Sequence, residues 1–242
     1  GLLIALDEFE KLEDWIREGA LPPDILDILR GYIQKYERIA FIFAGLHTLE
    51  EMNADYFQPF FATTIPVRVS FLSREAVFQL LANPPDPDFS LDYTPEALQY
   101  IWELTAGQPY LTQWIGHRLV SRYNDLTFEQ GKPQKPIFQV KDVEAVITQE
   151  DFYTQARYYF AGVWGQAGQG APGQQAILRL LAPYPHGLSL EQIIAASGMS
   201  PASVRTALKE LQHHDVLHEE AGQWRYIVEL FRRWVAKEIA SK

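Results

Sequence analysis

The sequence predicts an α/β layer followed by an all-α bundle and then a small domain of three helices and a hairpin. Three observations carry this. Two short, continuously apolar runs, Leu2-Leu3-Ile4-Ala5-Leu6 and Ile39-Ala40-Phe41-Ile42-Phe43-Ala44, flank a segment of helical periodicity, the strand–helix–strand pattern of a parallel sheet. From residue 73 to 164 the periodicity becomes helical, interrupted by a Pro- and Asp-rich loop at 83–93. After a glycine-rich stretch at 165–173 the pattern changes to three short helices and two short strands.

The first run ends in Asp7-Glu8. A strand buried on both faces reads as continuous apolar rather than alternating, and in open α/β sheets ligands sit beyond the carboxyl ends of the strands. The two carboxylates therefore fall where a nucleotide hydrolase needs one acid to hold Mg²⁺ and a second to orient or deprotonate water. A core strand ending in two solvated acids fits the same letters. Residues 24–36 follow, with Ile25, Ile28, Leu29, Tyr32 and Ile33 at helical spacing and Pro22 and Pro23 at the start. The second run closes at Gly45, and residues 65–71 form a third strand candidate.

No phosphate loop of the form Gly-x-x-x-x-Gly-Lys followed by Ser or Thr occurs, and the glycine-rich stretch 165–173 contains no lysine. Nucleotide binding in the usual way is not expected of this chain. A missing N-terminal piece carrying that loop is the simpler expectation; a complete protein that lacks it is the other.

From Ser73 onward the capping signals are explicit. Ser73 caps a helix at 75–81, Thr94 one that starts with Pro95 and runs to Thr105, and Pro109 opens another to Tyr123. Helices at 142–149 and 152–164 complete a bundle, the last rich in aromatic residues that read as core. Residues 165–173 have linker composition, which divides the chain into an α/β core (1–72), a helical lid (73–164), a linker (165–173) and a C-terminal domain (174–242). That last domain reads as helices at 174–181, 190–196 and 201–213, then strands at 216–219 and 224–227 around Ala221-Gly222. This is the winged helix-turn-helix order. Ser189-Leu190-Glu191-Gln192 has the form of a capping box, Gly198 sits in the turn, and Ser200-Pro201 opens the third helix.

Composition bounds the function. The 242 residues are 47% apolar with a net charge of −10. No apolar run approaches the roughly 18 to 20 residues that span a bilayer, and the N-terminus lacks a signal-peptide layout, so a cytoplasmic location is expected. Zero cysteines exclude disulfides and thiolate metal sites, and the six histidines show no zinc-ligand spacing. Residues 1–169 carry 13 Lys and Arg against 24 Asp and Glu, whereas 170–242 carry 8 against 7. Any contact with DNA would therefore come from the C-terminal domain.

In order, LLIALDEFEKLE resembles a Walker B segment and IAFIFAGLHTLEEM a sensor strand with its turn. VRVSFLSREAVFQLL resembles the strand and helix leading into a lid, GQPYLTQWIGHRL a GxP motif, and QWRYIVELFRRWV the end of a winged helix. Together they are similar to the C-terminal two thirds of a STAND-type P-loop ATPase, close to the prokaryotic AAA-like and archaeal ATPase families. The resemblance implies part of a parallel P-loop NTPase sheet, a helical lid and a winged helix. It also implies ATP and Mg²⁺ as cofactors of the parent protein, with neither bound tightly by this chain. By the same resemblance Asp7 coordinates the metal, Glu8 is the catalytic residue that positions water, His47 or Thr48 stands at the sensor position, and Gly107, Gln108 and Pro109 lie against the nucleotide from the lid. Arg68 and Arg74 are further candidates for sensing phosphate. Residue by residue, His47 and Thr48 also read as caps, and Gly107-Gln108-Pro109 as a helix stop followed by a helix start.

On the third helix of the winged domain, Ser203, Arg205, Thr206 and Lys209 would face a groove, with Gln212 and His213 beyond them. Glu210, Asp215, Glu219 and Glu220 crowd the helix end and wing, so contact with other domains of the parent chain or with protein partners is expected ahead of nucleic acid. No membrane contact is expected. An incomplete sheet also leaves an edge open to self-association. The leading expectation is a catalytically silent fragment of an ATP-binding regulatory switch; the alternative is a winged-helix transcriptional regulator with an N-terminal interaction domain.

Overall fold

The computed structural model describes residues 1–45, 64, 65, 67, 69–84 and 89–240, the side chains of 239 and 240 excepted. The fold is α/β plus all-α, in two compact units, Gly1–Val69 and Ser70–Lys242.

In the first unit β1 (Leu2–Leu6) and β2 (Ile39–Phe43) pair in parallel, Leu2 opposite Ile39 and Leu6 opposite Phe43. A parallel pair needs a crossover, here provided by α1 (Lys11–Arg17) and α2 (Ile25–Lys35). The apolar stripe of α2 builds a small core in which Phe9 and Leu26 are buried against Leu12, Ile16, Leu29, Ile33 and Phe43. Burial on both faces, expected from the unbroken apolar run, is not what β1 shows. The described helices cover only one side of a two-stranded sheet, leaving Leu3 61% and Ile42 52% exposed on the other. The third strand expected at 65–71 is absent among its described residues. The chain leaves that segment instead through Leu72, whose N–H donates to the Gly107 carbonyl at 2.8 Å.

The second unit begins with α3 (Arg74–Ala82), where Ser73 accepts the Ala76 N–H, and α4 (Pro95–Thr105), where Thr94 accepts that of Ala97. Both side chains satisfy amides that a helix start leaves unpaired. Next come α5 (Pro109–Asn124), a π-helical turn at Asp125–Glu129, α6 (Val140–Ile147), α7 (Glu150–Gln155) and α8 (Arg157–Gln169). Two-residue strands β3 (Asp92–Tyr93) and β4 (Ile137–Phe138) pair in parallel between them. The single helix expected at 152–164 is thus two, broken at Ala156. The linker expected at 165–173 also changes character: α8 runs through its first five residues because they are packed. Ala167 is buried and the Gln175 amide donates to the Trp164 carbonyl. Only 170–173 connects onward.

The winged helix forms as the sequence predicts. α9 (Gln174–Leu181), α10 (Leu190–Ser197) and α11 (Pro201–His213) precede a three-stranded antiparallel sheet of order β5 (Leu188–Ser189), β7 (Gln223–Tyr226), β6 (Leu217–Glu220). The capping box is complete, Ser189 accepting the Gln192 N–H while Gln192 accepts that of Ser189. Ala221 and Gly222, at φ 50° and 77°, make the left-handed two-residue turn that suits hairpin twist.

The closing helix α12 (Glu229–Ala240) joins this domain to the lid. Phe160 of α8 stacks on Phe231 and Trp234 of α12, with ring centroids 6.4 and 5.8 Å apart. Arg233 donates to the Tyr100 hydroxyl of α4, which donates to Glu144 of α6. Burial pushes the Glu229 carboxyl up, but hydrogen bonds from Arg232 and Arg233 outweigh it and hold the group below its ordinary range. One buried core runs from Val77 and Leu104 through Phe160 to Ile177, Leu208 and Phe231. Among the described residues no helix is long and apolar enough to cross a membrane.

Candidate functional site

At the carboxyl end of β1 the backbone turns sharply. Glu8 adopts φ 51°, a left-handed conformation that a side-chain-bearing residue takes only at a local cost. The turn is held from three directions. The Asp7 carboxylate accepts the Glu8 N–H at 2.9 Å, the Phe9 N–H reaches the Ala44 carbonyl at 3.0 Å, and the Ala44 N–H reaches that of Leu6 at 2.9 Å. Phe9 is thereby drawn into the core against Phe43, centroids 4.9 Å apart. Asp7 and Glu8 consequently stand together at the strand tip, both exposed. Lys11 forms an ion pair with Glu8, and the hydrogen bond and charge of that carboxylate raise the lysine pKa.

Sequence reasoning overlooked Glu10. A Cβ on Gly45, just past β2, would collide with its carboxylate, so the glycine admits a third acid beside the strand ends. The conjunction of a glycine after β2 with the acidic run after β1 was the available signal.

Among the described residues no cluster of three or more metal-ligating side chains exists; a cation held at the strand tip would draw most of its ligands from water and from a bound ligand, the arrangement Mg²⁺ prefers. The sequence holds no Gly-x-x-x-x-Gly-Lys-Ser/Thr loop. His47, Thr48 and Arg68 lie outside the described residues. Arg74 is engaged within its own unit, donating to Gln99 at 2.8 Å and lying over the Phe78 ring at 4.6 Å.

Gly107, Gln108 and Pro109 belong to the second unit, in the turn between α4 and α5. Ala106 and Gly107 are left-handed, at φ 49° and 78°. Gln108 caps α5 by accepting the Leu111 N–H at 2.7 Å, and Pro109 occupies a first-turn position where its missing N–H costs nothing. The buried Thr105 hydroxyl donates to the Ile101 carbonyl and accepts the Gly107 N–H; the Thr112 hydroxyl donates to the Gln108 carbonyl. The turn's polar groups are thus largely satisfied internally.

On α11, Val204, Ala207, Leu208 and Leu211 are buried while Ser203, Arg205, Thr206 and Lys209 are all exposed, so the four candidate contacts share the solvent side. Ser203 lies 2.8 Å from Ser200 and Thr206 donates to its own helix at Ala202, which leaves Arg205 and Lys209 as the groups with free reach. Glu210 is not on that side. It turns inward, accepting the Ala171 N–H at 2.7 Å and the Gln174 amide at the start of α9. The wing is less suited to phosphate: its Arg225 pairs with Glu220 and donates to His218 at 2.9 Å. Burial, then the arginine's charge, lowers the His218 pKa and keeps the ring a neutral acceptor.

Residues 176–221 match the IclR helix-turn-helix domain. No curated protein matches the chain. Among solved structures, Thermotoga maritima RuvB, described as a Holliday junction branch migration motor, is similar over 93% of this chain at 12% identity and a TM-score of 0.46. Two single-residue variants of the same protein give equal values. The chain spans 66% of the length of each.

Proposed function

We propose that the chain is the Walker B, lid and winged-helix portion of a STAND- or AAA-like ATP-dependent regulatory switch. The observation that carries this is the pair Asp7 and Glu8 at the carboxyl end of a strand paired in parallel, the position from which such folds present acids to ligands. The acidic run beside Gly45 and the succession of lid and winged helix support it. Bound there, Mg²⁺ and ATP would supply a phosphoryl group open to attack by water. Asp7 would hold the cation directly or through water, and Glu8 would orient the attacking water and accept its proton. The chain lacks a phosphate loop and is silent alone; partners are other domains of its parent or other proteins.

In a polypeptide or reconstituted complex that supplies the phosphate loop, Glu8→Gln is expected to lower ATP turnover by a factor on the order of 10² to 10⁴, the usual contribution of a positioned base. Nucleotide binding should be retained, and Asp7→Asn should weaken its Mg²⁺ dependence. Turnover by residues 1–242 alone, abolished by Glu8→Gln, would overturn the silent-fragment reading.

Contact with duplex DNA is the second reading, favoured by the helix-turn-helix match and by the inward turn of Glu210. Binding should then weaken with salt, and Arg205→Ala should lower the slope of log K against log salt by about one. No binding to duplex at about 50 mM salt, where phosphate contacts are strongest, removes this reading.

A further inference from the structure

In the second unit a cleft of about 280 Å³ opens between the end of α5, the π-helical turn, β4 and the start of α6. Its apolar lining includes Leu119 and Phe138, both buried, and Tyr123, whose ring meets Phe138 edge-on at 6.3 Å. Arg122, Lys135 and Lys141 line the same cleft. Among the described residues none of the three cations has an ion-pair or side-chain hydrogen-bond partner. Asp142, the acid in the lining, is occupied in capping α6, its carboxylate accepting the Gln139 N–H at 2.9 Å. In a chain of net charge −10, three cations against the one carboxylate of Asp142 leave this mixed polar and apolar lining net positive, a local reversal of sign. Phe128, raised on the π-helical turn, is 73% exposed and packs its ring against Tyr123 at 6.4 Å. Such single-turn π insertions recur at functional sites.

We propose that this cleft docks an acidic peptide segment that inserts one aromatic side chain. Charge complementarity selects the flanking carboxylates and the apolar floor selects the anchor, the usual division between a buried hot spot and a polar rim. The volume of about 280 Å³ has room for one aromatic side chain.

The test uses the full 242-residue chain and a fluorescein-labelled peptide, Glu-Glu-Trp-Glu-Glu, read by anisotropy. Saturable binding is expected, weakened about tenfold or more by the double variant Arg122→Glu/Lys135→Glu and by alanine in place of the peptide's tryptophan. If the double variant loses its thermal transition, Lys135→Gln/Lys141→Gln, at exposed positions, takes its place, with a loss of about threefold expected. The proposal is overturned if the peptide does not bind, if either charge variant that folds leaves binding unchanged, or if the tryptophan-free peptide binds equally well. It is also overturned if duplex DNA, or a second copy of the chain, is what the charge variants displace.

Discussion

Phe160→Ala is expected to destabilise the second unit by about 3–5 kcal/mol, the range for deleting a fully buried phenylalanine. Its ring is wholly buried and lies nearly parallel to those of Phe231 and Trp234, at 3° and 10°. Removing it opens a void at the joint between α8 and the closing helix, where partial collapse is opposed by the hydrogen bonds that fix α12 to the Tyr100 hydroxyl and the Ala182 carbonyl. At roughly 2–4 °C per kcal/mol for a unit of this size, the melting temperature should fall by about 6–20 °C. Differential scanning calorimetry checks it. The wild-type unit should melt in one transition, and the variant should split into separate lid and winged-helix transitions. A shift below about 2 °C with a single transition, less than 1 kcal/mol on the same scale, would show that the stack does not join the two.

Gly107→Ala is the second large effect. The residue sits at φ 78°, and a Cβ there would overlap the Leu72 carbonyl oxygen and come within 2.6 Å of the Trp102 ring. Backbone, unlike a flexible side-chain end, cannot step aside, and the N–H of Leu72 is itself bonded to Gly107. Left-handed strain of about 1–3 kcal/mol adds to that displacement, so a total loss of roughly 2–4 kcal/mol is expected. Gly162→Ala is the internal control. Gly162 lies within α8 with open space around its Cβ direction, and alanine there should be neutral or stabilising by up to about 1 kcal/mol. Equal thermal shifts for the two variants would refute the steric account of the turn.

How legible the chain was follows from where its information lies. Capping residues act locally, so Ser73, Thr94, Ser189 and Ser200 marked helix starts that the structure reproduces at each position. Parallel pairing of the two apolar runs was likewise legible, because a hydrophobic pentapeptide before and after an amphipathic helix leaves few arrangements. Burial was not. An apolar run reports what a strand can bury, whereas Leu3 and Ile42 depend on what other segments cover them. Residues 165–169 misled for a related reason: glycine and glutamine suggest a linker, but Ala167 and the Gln166 contact with His214 fix them as helix through tertiary packing. At the candidate sites, the Asp7 and Glu8 pair and the exposed side of α11 could be read from spacing. The orientation of Glu210 could not, since its partners Ala171 and Gln174 are remote in sequence.

The shared core of lid and winged helix has a mechanical consequence. With Phe160, Phe231 and Trp234 interleaved and Arg233 bridging to Tyr100 of α4, no plane of slip separates the two. A unit joined in this way would act as a lever arm: a rotation of a few degrees imposed on α3 or α4 would carry to α11 at the same angle, with a displacement that grows with distance from the pivot.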